Sequence, residues 1–398
     1  MGAAIVSSRP GSRCVVVPWQ RDIETVLDSL ARQRRADVVS VSTNSRDCPG
    51  PEAAGRVRQV SRWTAQHAQR PIKKIDSLLR GQVALELEAF LEEVGRDGVP
   101  AVFCPALPFH GRITAQGEQF QEVPLGHGGP AGRGTLVSVA RLADVLPGDH
   151  RAVRVELAAV RAGTLIDELA GLRTGRAVLV VDAVNESDMT MISRAVDAAV
   201  GVPVIATSGL RDHECPASSA AHGAGVARTL VLSASRSRAV ALQLDALLDS
   251  PAAGVTVIVS PQDPCAILPE GVRALEALKS HRNAVLAVDP RGPVAATEEQ
   301  RATDAHRLTA TLAIVAHDFL DQASEDDRLV ILGGNLAQAC VVEAGLPWLR
   351  LEGEITPGFV ILTYPHAQGP QIAIRSGSFG APDALVSLLC PALLRIED

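Results

Sequence analysis

The residues of this sequence best suited to chemistry lie together in the short segment 72–86, which reads IKKIDSLLRGQVALE. The chain contains three lysines, Lys73, Lys74 and Lys279, and two of them are adjacent in this segment. Elsewhere arginine takes the place of lysine, so a lysine pair beside an acidic residue is not typical of an ordinary solvated surface. We therefore interpret the segment as a binding or catalytic site.

Three polar residues of this segment, Asp76, Ser77 and Arg80, follow a strand-like run and precede a predicted helix. Such a position is the carboxyl end of a strand, where open α/β sheets bind their ligands. The amides at the start of the helix also favour an anion. The alternative is structural: Asp76 or Ser77 caps the helix and forms an ion pair with Arg80. The local chemistry leaves both interpretations open.

Two further polar clusters follow predicted strands in the first half of the chain. Thr-Asn-Ser-Arg at 43–46 follows one strand, and a proline-rich segment that ends in Gly111 and Arg112 follows another. A surface arginine in a proline-rich loop would explain the second cluster equally well. If the strand ends converge, the arginines at 46, 80 and 112 form a pocket for a small carboxylate, because a guanidinium binds a carboxylate through two parallel hydrogen bonds.

The second half of the chain contains loops in which glycine allows a phosphate group to approach the backbone. A glycine pair at 333–334 lies between a predicted strand and a predicted helix, and further glycine-bearing loops lie at 353–358 and 375–380. Backbone N–H groups in such turns bind phosphate. Each loop alone is weak evidence, since glycine also simply makes turns. Together they predict a nucleotide cradle.

Short β-branched runs that alternate with longer amphipathic stretches must position these residues. This alternation predicts an α/β fold of two domains, each a largely parallel sheet flanked by helices. We expect an N-terminal domain at 1–225, a connector at 226–253 and a C-terminal domain at 254–398. The predicted strands are 14–17, 38–42, 102–104, 177–181, 204–207, 255–259, 284–288, 329–332, 360–363 and 372–374. The predicted helices are 21–34, 52–69, 82–94, 137–146, 186–199, 236–249, 265–280, 298–322, 336–344 and 382–390.

Length, charge and hydropathy exclude several classes of protein. A chain of 398 residues suggests two or three domains, and its net charge of −7 argues against a general nucleic-acid binder. No apolar run reaches the roughly 18 residues of a membrane helix, and the N-terminal apolar stretch is too short for a signal peptide. Seven scattered cysteines without a C-x-x-C pattern predict free thiols in a reducing cytoplasm. We expect neither a nucleic-acid nor a membrane partner.

These motifs together resemble those of the four-carbon acid sugar kinase family. The family signature K-x-D-S-x-L-R-G, followed by Glu, is similar to 74–81 with Glu86, and P-A-x-P-x-x-G-R is similar to 105–112. T-D-S-R is similar to 43–46. The late motifs G-G-D-T-A, G-E-x-x-P-G and K-S-G-x-F-G are similar to the three glycine-bearing loops. Order and spacing match over nearly the whole chain.

The resemblance implies transfer of a phosphoryl group from ATP to a terminal hydroxyl of a small four-carbon sugar acid in the cleft between the domains. It implies that Asp76 orients or deprotonates the hydroxyl, that Lys74 offsets phosphate charge, and that Mg²⁺ bridges the phosphates. Arg80 completes the implied catalytic set, and a homodimer is compatible with the family. The implied substrate-binding residues are Arg46, Ser45, Ser77, Arg112 and Gly111. The implied nucleotide-binding residues are Gly333, Gly334, Asn335, Glu354, Gly358, Arg375, Ser376, Gly377 and Gly380.

The sequence also departs from the family pattern. The family opens with a strand and an Asp-Asp-x-Thr-Gly-Ala loop, whereas this chain reads Met1-Gly2-Ala3, as if it started inside that motif, which a misassigned start codon would explain. Asn44 and Asn335 stand where the family has Asp, which removes the charge that a base or a Mg²⁺ ligand supplies. Arg375 stands for Lys. Three hypotheses stay open: an active kinase, a kinase-derived protein that binds an organic acid or nucleotide without efficient transfer, and a kinase with an altered substrate.

Overall fold

The structure is a computed structural model that describes residues 12–96, 98–124, 134–172, 176–210, 226–250, 254–356, 359–365, 369–375 and 380–390. The opening residues Met1, Gly2 and Ala3 lie outside these ranges. So do three of the expected nucleotide-binding residues, Gly358, Ser376 and Gly377. Within the described ranges the strands form three sheets, with helices packed against them.

The strands are β1 (Cys14–Pro18), β2 (Val38–Ser42), β3 (Ile72–Lys74), β4 (Ala101–Cys104), β5 (Arg112–Ala115), β6 (Glu118–Pro124), β7 (Gly134–Arg141), β8 (Arg151–Val155), β9 (Ala177–Val181), β10 (Val204–Ala206), β11 (Thr229–Ser233), β12 (Val255–Val259), β13 (Asn283–Val288), β14 (Arg328–Leu332), β15 (Leu349–Thr356), β16 (Phe359–Thr363) and β17 (Gln371–Arg375). The helices are α1 (Ile23–Arg32), α2 (Gly50–His67), α3 (Val83–Val94), α4 (Leu157–Ala162), α5 (Leu165–Gly171), α6 (Glu186–Ala198), α7 (Arg238–Leu248), α8 (Ile267–Ala277), α9 (Glu298–Gln322), α10 (Gly334–Glu343) and α11 (Ala384–Leu389).

The smaller of the two main sheets carries the segment that begins at residue 72. Its order is β3-β10-β4-β9-β8, and every neighbouring pair is parallel. The run Ala177–Val181 is fully buried, as expected for a parallel strand that is covered by helices on both faces. Because all strands run the same way, the loops after β3 and β4 leave the sheet at one edge. The sequence-predicted clusters at 76–80 and 105–112 are therefore neighbours.

The larger sheet contains nine of the described strands, in the order β12-β13-β11-β14-β17-β16-β15-β1-β2. Its first five strands are parallel, β16 and β15 are antiparallel, and β1 joins β15 in antiparallel register. The expected α/β architecture of largely parallel sheets flanked by helices is confirmed.

The expected boundaries do not coincide with the division into sheets. Strands β1 and β2 belong to the sheet of the C-terminal half, and β11, inside the expected connector 226–253, is a buried central strand of that sheet. A composition break marks a loop but does not say which sheet the next strand joins, because pairing depends on residues far away in the chain.

The third sheet is the antiparallel meander β5-β6-β7. It includes part of the segment 137–146, for which the sequence predicted a helix. That prediction is wrong: residues up to Arg141 continue β7, and a short 3₁₀ turn follows at Leu142–Val145. Pairing with β6 over seven positions, with one register irregularity, outweighs the weak helical preference of this stretch.

Hydrophobic burial holds helices against both main sheets. Helix α1 buries Ile23, Leu27 and Leu30, which recur at the spacing of one helical face. Helix α6 begins at a complete capping box, in which Asn185 and Asp188 each accept the other's backbone N–H. The sheets are thus rigid supports, and the loops at their edges carry the polar residues.

Among the described residues, no helix combines the length and apolar character that crossing a lipid bilayer requires. The described cysteines, at positions 14, 48, 104, 265, 340 and 390, are free, as the sequence predicted, whereas Cys215 lies outside the described residues.

Candidate functional site

One cavity of about 1810 Å³ brings the two halves of the chain together. Its walls include β2, β3 and the loops that follow them on one side, and the start of α10 and the end of β17 on the other. Within the described chain, β2 and β3 are each the last strand of their sheet, so the cavity lies between two sheet edges. The volume exceeds the roughly 300–1,000 Å³ of a usual ligand site.

Asp76 organises the loop that follows β3. Its carboxylate accepts the backbone N–H of Leu78 at 3.1 Å and of Arg80 at 3.3 Å. The Arg80 guanidinium donates twice, from Nε and Nη2, each at 2.9 Å, and the Arg46 guanidinium donates at 3.0 Å. Burial alone would raise the pKa of Asp76, but the hydrogen bonds of Arg80 and the charges of Arg46 and Arg80 outweigh it and lower the pKa to about 2. Asp76 is therefore an ionised carboxylate that holds two guanidinium groups.

The structure contains one half of the structural alternative, the ion pair between Asp76 and Arg80, but not the other half, the helix cap. The N-cap of α3 is Gln82, and its side chain makes no capping hydrogen bond, so neither Asp76 nor Ser77 caps that helix. The loop also contains Leu79 at a φ of 54°, a left-handed conformation that costs of the order of 1–3 kcal/mol for a residue with a side chain. Hydrogen bonds to Asp76 on both sides of Leu79 hold this conformation, and such strain is typical of binding loops.

The loop after β2 approaches the Asp76 loop closely because a glycine lies at the contact. Gly81 has a φ of 90°, and a Cβ atom built there would lie 3.2 Å from the Arg46 carbonyl oxygen and side chain. The missing side chain lets Arg46 reach Asp76. This explains why an arginine in the motif at 43–46 and the arginine-glycine pair at 80–81 belong to one site.

The two adjacent lysines have different surroundings. The Lys73 ammonium forms an ion pair of 2.5 Å with Glu86, which also accepts a hydrogen bond of 2.7 Å from Ser45. The Lys74 ammonium has no hydrogen-bonding or ion-pairing partner among the described residues. Burial, together with the nearby charges of Arg46 and Lys73, lowers the pKa of Lys74 to about 8 despite the attraction of Asp76. Lys74 is thus the lysine that is available to an anion in the cavity.

Arg112 and His110 extend this cationic region from the end of β4. Burial lowers the pKa of Arg112, the charge of Asp76 raises it, and the charge of Arg80 lowers it again. The buried Nε of Arg112 has no hydrogen-bond partner among the described residues. His110 lines the cavity, and burial and the charge of Arg112 lower its pKa to about 4. The imidazole is therefore neutral at physiological pH. Arg46 and Arg80 contact Asp76 directly, whereas Arg112 interacts with it only through its charge and does not line the cavity wall. A carboxylate pocket formed by all three arginines stays a prediction.

Three of the expected substrate-binding residues support the loops. The buried Ser45 hydroxyl is engaged with Glu86 and Thr43. The Ser77 carbonyl accepts a hydrogen bond of 2.9 Å from Gln119. Gly111, at a φ of 66°, ends the 3₁₀ turn that carries His110. Direct contact between these three residues and a substrate stays a prediction.

On the opposite wall, the turn between β14 and α10 leaves open space above the backbone. Gly333 has a φ of 126°, and a Cβ atom at Gly333 or Gly334 would meet no atom within 4 Å. Gly334 and Asn335 line the cavity. An open backbone at the start of a ten-residue helix suits a phosphate group, because the first amides of a helix have no partner within the helix.

Arg375 closes this wall from the end of β17. Its side chain is 1% exposed, its guanidinium lies 4.9 Å from the centre of the Phe359 ring, and burial lowers its pKa to about 10. Gly380 covers the guanidinium so closely that a Cβ atom there would lie 2.4 Å from it. Arg375, Gly380 and Glu354 all line the cavity, on the side that the sequence assigned to the nucleotide.

Two residues that the sequence analysis did not single out connect these parts. Asp47 accepts a hydrogen bond of 2.7 Å from the Asn335 amide, which links the loop after β2 to the nucleotide side. Gln119, on the antiparallel meander, contacts both sugar-side loops. Neither residue belongs to a motif. For Asp47, its position directly after the 43–46 motif was the available signal.

Comparison with known families agrees with this geometry. Residues 10–210 match a family model described as a sugar-binding N-terminal domain, and residues 230–385 match one described as a nucleotide-binding C-terminal domain. The chain belongs to the four-carbon acid sugar kinase family. The two matched regions correspond to the two sides of the cavity. Strands β1 and β2 are the exception, because they lie within the sugar-binding match but belong to the nine-stranded sheet of the C-terminal half.

Curated members of this kinase family are similar over most of their length. A D-threonate kinase of Salmonella typhimurium is 27% identical over 396 residues, which cover 92% of this chain and 90% of that protein. A D-threonate kinase of Bordetella bronchiseptica is 28% identical, covering 89% and 85%. A 3-oxo-tetronate kinase of Cupriavidus necator is 28% identical, covering 94% and 90%.

Solved structures with the same fold are more distant in sequence. A Haemophilus influenzae protein aligns with a TM-score of 0.65 at 20% identity, covering 98% of this chain and 97% of its own. A Salmonella typhimurium protein aligns with a TM-score of 0.69 at 21% identity, covering 98% and 96%. At this identity the similarity concerns the fold alone.

Proposed function

We propose that this protein transfers the γ-phosphoryl group of ATP to a terminal hydroxyl of a four-carbon sugar acid. One observation carries the proposal: a cluster of cationic side chains around Asp76 faces an open glycine turn across a single cavity. The first feature suits an organic carboxylate and the second a polyphosphate. Family membership and the names of the relatives support the same reaction.

The sugar-acid carboxylate would bind to cations that do not have a full set of partners within the protein. Lys74 is the first candidate, since it is half-buried on the cavity wall and its ammonium has no partner among the described residues. Arg46 and Arg80 each give hydrogen bonds to Asp76 but are about half exposed, with 48% and 58% of their side chains accessible, so their remaining N–H groups can reach a ligand. Holding the acid in place would position its hydroxyl towards the nucleotide wall.

In the transfer, the substrate hydroxyl oxygen forms a bond to the γ-phosphorus while the bond to the bridging oxygen breaks and ADP leaves, and the hydroxyl proton is released to solvent. Phosphoryl transfer passes through a loose transition state, so positioning and charge stabilisation matter more than a strong base. With a pKa of about 2 and five hydrogen bonds, Asp76 is poorly suited to take the hydroxyl proton. The structure favours the other role considered for it, which is to orient groups that contact the substrate.

The residues on the nucleotide wall fit ATP and a Mg²⁺ ion that is held mainly by phosphate oxygens. The backbone at Gly333 and Gly334 is open, and Glu354 and Asp383 are carboxylates that line the same wall. Mg²⁺ in kinase sites is commonly held by one or two carboxylates together with phosphate oxygens and water, so these two carboxylates would suffice. When bound, the ion would neutralise charge on the phosphates.

A second candidate is a family member that binds its ligands without efficient transfer. The specific observation in its favour is that the amide of Asn335 occupies the position of a family aspartate and is engaged with Asp47. An aspartate there would offer a charged carboxylate to a cation, whereas the asparagine offers only its neutral carbonyl oxygen while its nitrogen donates to Asp47.

The two functions are separated by measuring binding and turnover on the same sample. Thermal-shift titrations with Mg-ATP and with D-threonate, D-erythronate and 3-oxo-tetronate should each raise the unfolding midpoint, since a ligand at 100 times its Kd stabilises by about 2.7 kcal/mol. Phosphorus NMR should then show a new phosphomonoester and ADP. Binding of an acid without product would favour the second candidate, and no response to any acid would contradict both.

A further inference from the structure

We infer that Gln119 is a positioning residue that fixes the spacing of the two loops, 76–81 and 105–112, which present Arg80 and His110 to the sugar acid. The inference deepens the proposed function and rests on it for the identity of the ligand. Gln119 lies on β6, outside the cavity, and no part of its surface is exposed. Its importance follows from what its side-chain amide contacts.

The Gln119 amide nitrogen donates two hydrogen bonds, one to each loop. It contacts the carbonyl oxygen of Ser77 at 2.9 Å and that of Pro105 at 3.2 Å. Ser77 directly follows Asp76, and Pro105 begins the segment that leads to His110 and Arg112. One planar amide group therefore bridges the ends of β3 and β4, which lie on either side of β10 in the sheet.

The orientation of this amide is determined by its partners. Backbone carbonyls can only accept hydrogen bonds, so the –NH₂ group must face Ser77 and Pro105. The amide oxygen then accepts the Thr114 hydroxyl at 2.7 Å. Thr114 is the residue directly opposite Gln119 in the β5–β6 register, and it is also fully buried. Both amide hydrogens are donated. Removing either of them would therefore take away a hydrogen bond from the carbonyl oxygen of Ser77 or of Pro105.

The hairpin that carries Gln119 is itself attached firmly to the sheet. Thr114 and Ala183, just after β9, exchange two backbone hydrogen bonds of 2.9 Å each. The carboxylate of Asp182 accepts the N–H groups of Gln116 and Gly117 at the hairpin turn, each at 2.9 Å. The hairpin is thus anchored at the end of β9. Through its two hydrogen bonds, Gln119 connects this anchored hairpin to the loops after β3 and β4.

The strand pairing is irregular at this residue. Gln119 pairs with Ala140 of β7, but the next residue, Phe120, pairs with Ser138, so one residue of β7 is skipped. A β-bulge of this kind changes the direction of neighbouring side chains and is frequent beside binding sites. It is a second observation, independent of the hydrogen bonds, that marks this position as specialised.

The bridge has a direct consequence for anion binding. Arg80 and His110 lie on different loops and both line the cavity, so the spacing of the two loops decides whether one small carboxylate can contact both side chains. Misplacing reacting or binding groups by about 1 Å can cost roughly 100-fold in rate. Without the bridge, each loop would still be held locally by its own backbone bonds, but their relative spacing would be free to vary.

The test compares Gln119→Glu with the natural protein by two methods. A carboxylate keeps the shape and still accepts from Thr114, but it cannot donate to either carbonyl. In steady-state assays at pH 7.5 the KM for D-threonate should rise about 10-fold or more, with the KM for ATP unchanged within about twofold. Hydrogen exchange on the ligand-free proteins should be about 5–10-fold faster in peptides that cover 76–81 and 105–112.

A pH series separates positioning from general damage. A buried glutamic acid that becomes protonated regains one O–H donor, so the KM of the variant should fall towards the natural value between pH 7 and 5.5. Thr114→Val is the matched control: it removes the third hydrogen bond but leaves both loop contacts, and its KM for D-threonate should stay within about twofold. If Gln119→Glu does not fold, Thr114→Val/Gln119→Met replaces the buried pair by apolar groups and takes its place in both measurements, and the same KM and exchange changes are expected.

Unchanged exchange in both loops of a folded variant would overturn the inference, and so would equal increases in KM for both substrates. If the natural protein responds to none of the four-carbon acids, the proposed function fails. The exchange experiment needs no ligand, so it still decides whether Gln119 fixes the loops.

Discussion

The side-chain amide of Asn335 donates a hydrogen bond of 2.7 Å to the carboxylate of Asp47, across 288 residues of sequence. Asp47 follows the loop that carries Arg46, and Asn335 lies in the first turn of α10 beside the open glycine pair. The contact joins the sugar-acid side of the cavity to the nucleotide side. Its geometry requires one amide and one carboxylate, which gives a simple reversal test.

Asn335→Asp should place two carboxylates at this contact and drive the loops apart. We expect a small loss of stability, of the order of 1 kcal/mol or less because both groups are exposed. Combining it with Asp47→Asn restores one carboxylate and one amide. Thermal unfolding of the two single variants and the double variant measures the coupling, and additive effects would show that the contact is unimportant.

Asp76→Asn should reduce kcat/KM for the sugar acid by about 100-fold or more, because Arg46 and Arg80 lose the charge that orients them. The free energy of unfolding should fall by only about 1–3 kcal/mol. Asp149→Asn is the matched control, since Asp149 also pairs with an arginine, Arg176 at 2.7 Å, but on an exposed surface. If the Asp76 variant unfolded and its affinities for the sugar acid and for ATP fell equally, Asp76 would instead have a purely structural role.

Lys74 should make sugar-acid binding dependent on pH. Its pKa of about 8 means that it is charged at neutral pH and loses its proton as the pH rises through 8, so the Kd for the acid should increase above that value. Lys74→Met should bind weakly at every pH, whereas Lys279→Met, which alters an exposed lysine paired with Glu276, should keep the natural profile. A pH profile in Lys74→Met that still bends near pH 8 would assign the titration to another group.

The same residue predicts a change in stability with a defined sign. The pKa of Lys74 is lower in the folded protein than its ordinary value of 10.5, so the unfolded chain binds more protons between about pH 8 and 10.5. Stability from this group is therefore present above pH 10.5 and lost as the pH falls towards 8. Lys74→Met should raise the unfolding midpoint at pH 7 relative to the natural protein, and the difference should shrink by pH 10. Calorimetry at the two pH values checks this.

Gly380→Ala should displace the Arg375 guanidinium, because the new methyl group would lie 2.4 Å from it at a φ of 102° that alanine rarely adopts. We expect a loss of about 1–3 kcal/mol in stability and about 10-fold weaker Mg-ATP binding, with sugar-acid affinity unchanged. Gly148→Ala, where a methyl group meets nothing within 4 Å, is the control and should behave as the natural protein. Unaltered nucleotide affinity in a folded Gly380→Ala would remove Arg375 from the nucleotide site.

The sequence predicted much of the fold because its signals are local. The buried β-branched run at 177–181 and the alternation of strands with amphipathic helices are direct consequences of hydrophobic periodicity. Prediction from local pattern was wrong for 137–141, where pairing with β6 determines that the chain forms a strand. It also did not predict strand β11 within the expected connector. Pairing partners are distant in sequence and leave no pattern within a short window.

By itself, the sequence determined which residue types are present at the site: a lysine pair, an aspartate, three arginines at strand ends and a set of glycine turns. Only the tertiary structure decided their roles. It paired Lys73 with Glu86 and left Lys74 available, it surrounded Asp76 with guanidinium groups that lower its pKa, and it placed Gln119 across two loops. The physical reason is that charge and hydrogen-bonding capacity belong to a residue type, whereas burial and the choice of partner depend on which strands the fold brings side by side.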